Sequence, residues 1–109
     1  MTELQIYLDV TPGKEKELED IFTESFVPAI SVQEGFKRVE LIQAKDALSS
    51  YQINLMFDTE QLRLKWVASP EHRTAFPKIA ALCLRVTWRG FEVIMARSGV
   101  PFSDTPKPA

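Results

Sequence analysis

One cysteine, one histidine and four glycines stand in a chain of 109 residues, and each scarcity closes off a class of chemistry. Cys83 has no partner within the sequence, which excludes an intrachain disulfide and makes a reducing, cytoplasmic setting the expectation. Set between Leu82 and Leu84, it reads as a small apolar filler rather than a nucleophile. A lone His72 beside a lone cysteine gives too few soft ligands for a zinc or iron site. No glycine-rich loop is present to cradle a phosphate, so neither metal, flavin nor other cofactor is expected. Positive charge is not in excess either: 13 Lys and Arg face 15 Asp and Glu, a net charge of -2. Lys14, Lys16, Lys37, Arg38, Arg63 and Lys65 are interleaved with acids and read as solvated surface, whereas nucleic acid needs a basic stripe. No apolar run approaches membrane length, and Met1-Thr2-Glu3 lacks the flank and core of a signal peptide. What remains is 45% hydrophobic and 26% charged, the composition of one globular domain with one core.

Periodicity supplies the elements. Leu4, Ile6, Leu8 and Val10 alternate with Glu3, Gln5, Tyr7 and Asp9, which predicts a first strand over residues 3–10. Thr11-Pro12-Gly13 is a turn. Leu18, Ile21, Phe22 and Phe26 then recur at helical spacing against a charged face, so an amphipathic helix begins near Lys14 and is bent or ended by Pro28. Gly35 precedes a second strand, Phe36 to Ala44, with Val39 and Leu41 on one side and Phe36 and Ile42 on the other. A turn from Lys45 to Ser50 leads to a third strand whose Tyr51, Ile53, Leu55 and Phe57 share a face, in the manner of an antiparallel hairpin. Thr59 is placed to cap a second helix bearing Leu62 and Trp66. Ser69-Pro70-Glu71 starts another, with Pro77 inside it predicting irregularity. A last strand is expected from Leu84 to Ala96, bulged at Gly90.

Strand, helix, strand, strand, helices, strand is the α+β, ferredoxin-like βαββαβ order, an antiparallel sheet with helices on one face. The domain is expected over residues 1–97, followed by a proline-containing tail or arm at 98–109. Strands two and three carry apolar residues on both sides, so a second copy covering the bare sheet face, a homodimer, is expected. The stretch Trp66 to His72 is where polar chemistry stands out. It brings an indole and the only imidazole together at a helix start.

These features together resemble the antibiotic biosynthesis monooxygenase family, within the dimeric α/β barrels. The resemblance rests on Thr11-Pro12-Gly13 after the first strand, Glu34-Gly35-Phe36 before the second, Phe57-Asp58-Thr59 into a helix, and Trp66 followed by Ser69 and His72. It covers roughly residues 3–96 and implies two sheets closing into one barrel, with a small-molecule pocket between the helices and sheet of each subunit. Relatives include cofactor-independent oxygenases of anthrone-like or quinol substrates, and haem-degrading proteins. The haem-degrading pattern asks for an asparagine where Ile6 stands and an axial histidine where Phe76 stands, so haem degradation is disfavoured. The oxygenase pattern of a tryptophan followed by a polar aromatic is met by Trp66 and roughly by His72. The resemblance thus implies His72 as a catalytic base and Trp66, Phe76, Ile6, Phe22 and Asn54 as substrate-pocket residues. Asn54 is the candidate amide, although it shares a face with Met56. A histidine titrating near neutrality suits proton abstraction from an acidic phenol or activated methylene, and an aromatic wall suits a planar substrate. Against this stand plainer roles: Trp66 as core, His72 as an exposed or interface residue. Tyr7 is placed on the dimer face, and Trp88 and Arg89 are assigned to packing and the dimer seam. The alternative function is a non-catalytic small-molecule-binding or dimerisation module of the same fold.

Overall fold

The computed structural model describes residues 1–99. Its elements run β1 (Thr2–Val10), α1 (Glu15–Ile21), a widened helical turn (Phe22–Phe26), α2 (Val27–Ser31), β2 (Phe36–Ala44), β3 (Ala47–Phe57), α3 (Glu60–Val67), α4 (Pro70–Ala80) and β4 (Cys83–Glu92). The four strands form one antiparallel sheet in the order β2-β3-β1-β4. All helices pack on one face of it, the ferredoxin-like α+β arrangement. The expected tail at 98–109 lies outside the described residues beyond Gly99.

Alternation decides which side chains reach the core. Ile6, Leu8 and Val10 of β1 and Tyr51, Ile53, Leu55 and Phe57 of β3 are buried beneath the helices. Leu18, Phe22, Phe26, Ile30, Trp66, Ala75 and Ile79 close over them from above. Pro28 neither ends the first helix nor kinks it sharply. Its ring would press on the carbonyl of Glu24 in a regular helix, and the turn immediately before it is widened instead. The Val27 N–H reaches back to the Phe22 carbonyl, and the chain continues helically so that Ile30 is fully buried.

Five other details depart from expectation. Phe36 lies on the core side with Val39 and Leu41, because a register shift between Phe36 and Arg38 reverses the parity of the strand. Strand β3 starts at Ala47, three residues before the expected turn ends, and Ala44 pairs with Ala47 across a tight hairpin. Ala47 and Leu48 are exposed, so burial patterning gave no sign of that first stretch. Gly90 pairs regularly with Leu4, and the irregularity of this ladder falls at Asp9 and Val10. Strand β4 stops at Glu92 rather than Ala96, since β1 offers no partner beyond Thr2; the last backbone bond runs from Val93 N to Met1 O at 2.8 Å. Helix α4 runs on past Pro77 to Ala80.

The other sheet face carries no covering element among the described residues. It is more polar than the alternation suggested. Tyr7 donates to Gln5, Gln5 to Glu3, Gln52 to Asn54, and Asn54 and Arg38 to Glu40.

Candidate functional site

Helices α3 and α4 are placed over the β1–β4 side of the sheet by local signals that the sequence states plainly. Gly35 adopts φ +80°, and a Cβ there would come 2.4 Å from Leu62 Cδ1, so α3 seats directly on this glycine. The Thr59 side chain accepts from Leu62 N at 3.1 Å and caps α3. Ser69 does the same for α4: its hydroxyl accepts from His72 N at 3.2 Å and donates to the Trp66 carbonyl at 2.7 Å. The Gln33 amide donates to Glu71 at 2.9 Å and ties the end of α2 to this helix start.

Between these helices and the sheet lies a cavity of about 310 Å³. Leu4, Ile6 and Trp88 line it from the sheet, Arg63, Leu64 and Val67 from α3, and His72 and Phe76 from α4. Leu64, Val67 and Trp88 form an exposed apolar rim. Such a space, mostly hydrophobic with two polar groups, fits a small planar ligand.

His72 is half-buried in the wall. Its ring stacks on Phe76 at 5.2 Å between centroids and meets the edge of Trp66 at 4.9 Å. Among the described residues no hydrogen bond is made by the imidazole. Burial holds its pKa below the usual 6.5, because desolvation penalises the charged form. Its position in the first turn of α4 acts in the same direction, since the positive end of the helix dipole disfavours imidazolium. The ring is therefore neutral near pH 7, and a nitrogen lone pair is left for a ligand.

The structure brings His72, Phe76 and Ile6 together in this cavity and places the other three expected residues elsewhere. Trp66 is 2% exposed and stands behind His72, edge-on to Phe26 at 5.6 Å, as support rather than lining. Phe22 is in the core, stacked on Phe26 at 5.6 Å. Asn54 is on the opposite sheet face, bonded to Gln52 and Glu40, because the parity that buries Ile53 and Leu55 turns Asn54 away. Two contributors lie outside the expected set. Trp88, expected in packing and the dimer seam, pairs with Ile6 and faces the cavity. Arg63, expected on the solvated surface, lines the same space. The alternation of Leu84, Val86 and Trp88 held the first signal, but the register that aims it came only from pairing with β1.

Cys83 is not at the site. Its thiol donates to the Ile79 carbonyl at 3.4 Å, and burial together with the nearby Asp9 charge pushes its pKa up, against a nucleophilic role. Among the described residues no cluster of three or more His, Cys, Asp or Glu is arranged to hold a metal ion, and no helix is long and apolar enough to cross a membrane.

Comparison with known proteins adds family and fold. Residues 1–78 match the sequence model of the antibiotic biosynthesis monooxygenase family. No curated protein matches the chain in sequence. Among solved structures, a mutant of SnoaB, a cofactor-independent oxygenase from Streptomyces nogalater, is 21% identical, with a TM-score of 0.76 over 93% of this chain and 97% of that one. A Deinococcus radiodurans protein bearing the family's name is 13% identical, with a TM-score of 0.78 over 92% and 99%. A conserved protein from Methanosarcina mazei is 13% identical, with a TM-score of 0.76 over 83% and 89%.

Proposed function

The chain belongs to the antibiotic biosynthesis monooxygenase family, and from that premise we propose that it is a cofactor-independent monooxygenase of a small aromatic compound of polyketide or quinol type, working as a homodimer. The observation that carries this reading is the His72 imidazole on the wall of a cavity it shares with Phe76 and Trp88, with no hydrogen-bond partner among the described residues. The cofactor-independent oxygenase among the structural neighbours supports the reaction type.

The chemistry follows from those groups. A planar substrate lies against Ile6, Leu4, Phe76 and Trp88, which exclude water from one side of it. His72 takes a proton from a phenol or from the methylene it activates, as a general base. The electron-rich anion passes an electron to dioxygen, the two radicals combine, and the resulting hydroperoxide loses water to leave a carbonyl. One oxygen atom enters the product and the other departs as water; both hydrogens of that water come from the substrate, from the methylene or from the phenol O–H and the ring C–H that is oxidised. No external reductant enters the balance.

The test is oxygen uptake with a panel of anthrones and naphthoquinols. His72→Ala should slow turnover by ~10²-fold or more, the scale of a lost general base. A fully active His72→Ala protein would remove the base from the mechanism. A second reading, a binding module without chemistry, is favoured by one feature: among the described residues no carboxylate orients the His72 ring, as a third group does in many acid–base sites. Ligand binding without oxygen uptake would select it.

A further inference from the structure

Among the described residues, Arg63 is the one charged side chain that lines the cavity. Its environment is unusual for a helix-surface arginine. Its Nε pairs with Glu60 one turn earlier, yet the Arg63 side chain is only 15% exposed where its partner is 53% exposed. An ordinary surface ion pair leaves both groups in water and contributes little. Here the acid points outward and the base is drawn in beside Leu64, Val67 and the cavity. Guanidinium carries five N–H donors in a fixed fork, and the Glu60 contact uses the one on Nε. Among the described residues, no acceptor is bonded to either Nη, and neither Nη is sealed from solvent without a partner. Arg63 thus brings unpaired Nη donors to the lining of an apolar space that also holds a neutral base.

We propose that Arg63 binds an anionic oxygen of the substrate, so that the substrate class is a planar aromatic carrying a carboxylate or an ionisable phenol rather than a neutral hydrocarbon ring. The inference rests on the reading of the cavity as an aromatic-substrate site and names what that substrate must carry. Charge-assisted bonds from guanidinium to such an oxygen are strong and directional in a space with little water. For a phenol the two residues then divide one step. The O–H bond breaks, the proton passes to the His72 ring nitrogen, and the electron pair stays on an oxygen already facing Arg63. Arg63 is a substrate-binding residue in this scheme, and Glu60 positions it.

Calorimetric titration with three probes decides the matter: naphthoate, dinitronaphtholate and the neutral naphthamide. At mildly alkaline pH, where His72 is uncharged, the native protein should bind at least one anion about tenfold more tightly than the amide. Added salt should weaken the anions and leave the amide unchanged. Which anion is preferred separates a carboxylate from a phenolate substrate, and either preference supports the proposal. Arg63→Gln should abolish the preference while retaining amide binding, which also reports an intact cavity. Glu60→Gln loosens the guanidinium that Glu60 holds and should weaken the anions while leaving the amide unchanged, so the outcome does not depend on Arg63→Gln folding. If the amide binds as well as the anions, or Arg63→Gln keeps the preference, the role of Arg63 is overturned and the monooxygenase reading stands. If no probe binds, the aromatic cavity itself is refuted, and this proposal falls with it.

Discussion

At the scale of single residues, the imidazole of His72 links pH to both activity and folding. Burial lowers its pKa in the folded chain from the usual 6.5, while the unfolded chain keeps the ordinary value. The unfolded state therefore binds the proton first as pH falls. Stability from this group is fully present above the unfolded value and is lost as pH falls from there through the folded one. Melting temperatures of the native protein should drop across that acid window, and those of His72→Gln should drop less. Equal acid sensitivity in the two proteins would show that His72 is not desolvated. Turnover should follow the same group with the opposite emphasis: kcat/KM rises with pH through the lowered pKa and levels off above it, as the base form fills. Trp88 and Arg63 belong to this scale too. Neither was legible as a site residue, since a tryptophan on a strand and an arginine among acids have ordinary surface roles until a neighbouring strand or helix aims them.

Among the elements, the two capped helix starts were the clearest part of the sequence, and they are what carry the site. Ser69 holds α4 through its bond from His72 N and Thr59 holds α3 through its bond from Leu62 N, each a standard N-cap. Removing either hydroxyl should cost about 0.5–2 kcal/mol. The two substitutions are expected to separate in function. Ser69→Ala also removes one of the two bonds to the Trp66 carbonyl beside the turn that carries His72, so it should disturb turnover in thermal-melt-matched conditions, whereas Thr59→Ala should act on stability with less effect on kcat. Identical activity losses would mean that the caps matter only for folding. The strands were legible for the same kind of reason: a period of two with one dry face fixes which residues point inward, and β1 and β3 obey it. Asn54 could have been placed by that rule, because it alternates with buried Ile53 and Leu55. Phe36 could not, since a single register shift in β2 inverts the rule locally. Phe22 could also have been placed, because it continues the apolar stripe of Leu18 and Phe26 and stacks on Phe26 in the core.

For the whole molecule, the open sheet face is the surface left to explain. The case for a partner there changes with the structure. Instead of two-sided hydrophobicity, the face presents Ile42, Met56 and Phe91 among polar side chains that already bond to one another in the plane of the sheet. That arrangement lowers the cost of covering them, because Tyr7, Gln5, Gln52 and Asn54 need few bonds from water once paired. A second copy of the same face, related by a two-fold axis, would meet apolar side chains with apolar side chains and bury on the order of 2,000 Å². Light scattering at micromolar concentration should therefore return twice the mass of the chain. Ile42 is the position at which to challenge this. It is 44% exposed in the single chain, so Ile42→Asp should leave the fold of each subunit intact. Within a dimer interface the same carboxylate would be desolvated without a partner, a cost of several kcal/mol that should shift the equilibrium to monomer. A native protein of monomer mass, or an Ile42→Asp variant as dimeric as the native chain, would move the interface off this face.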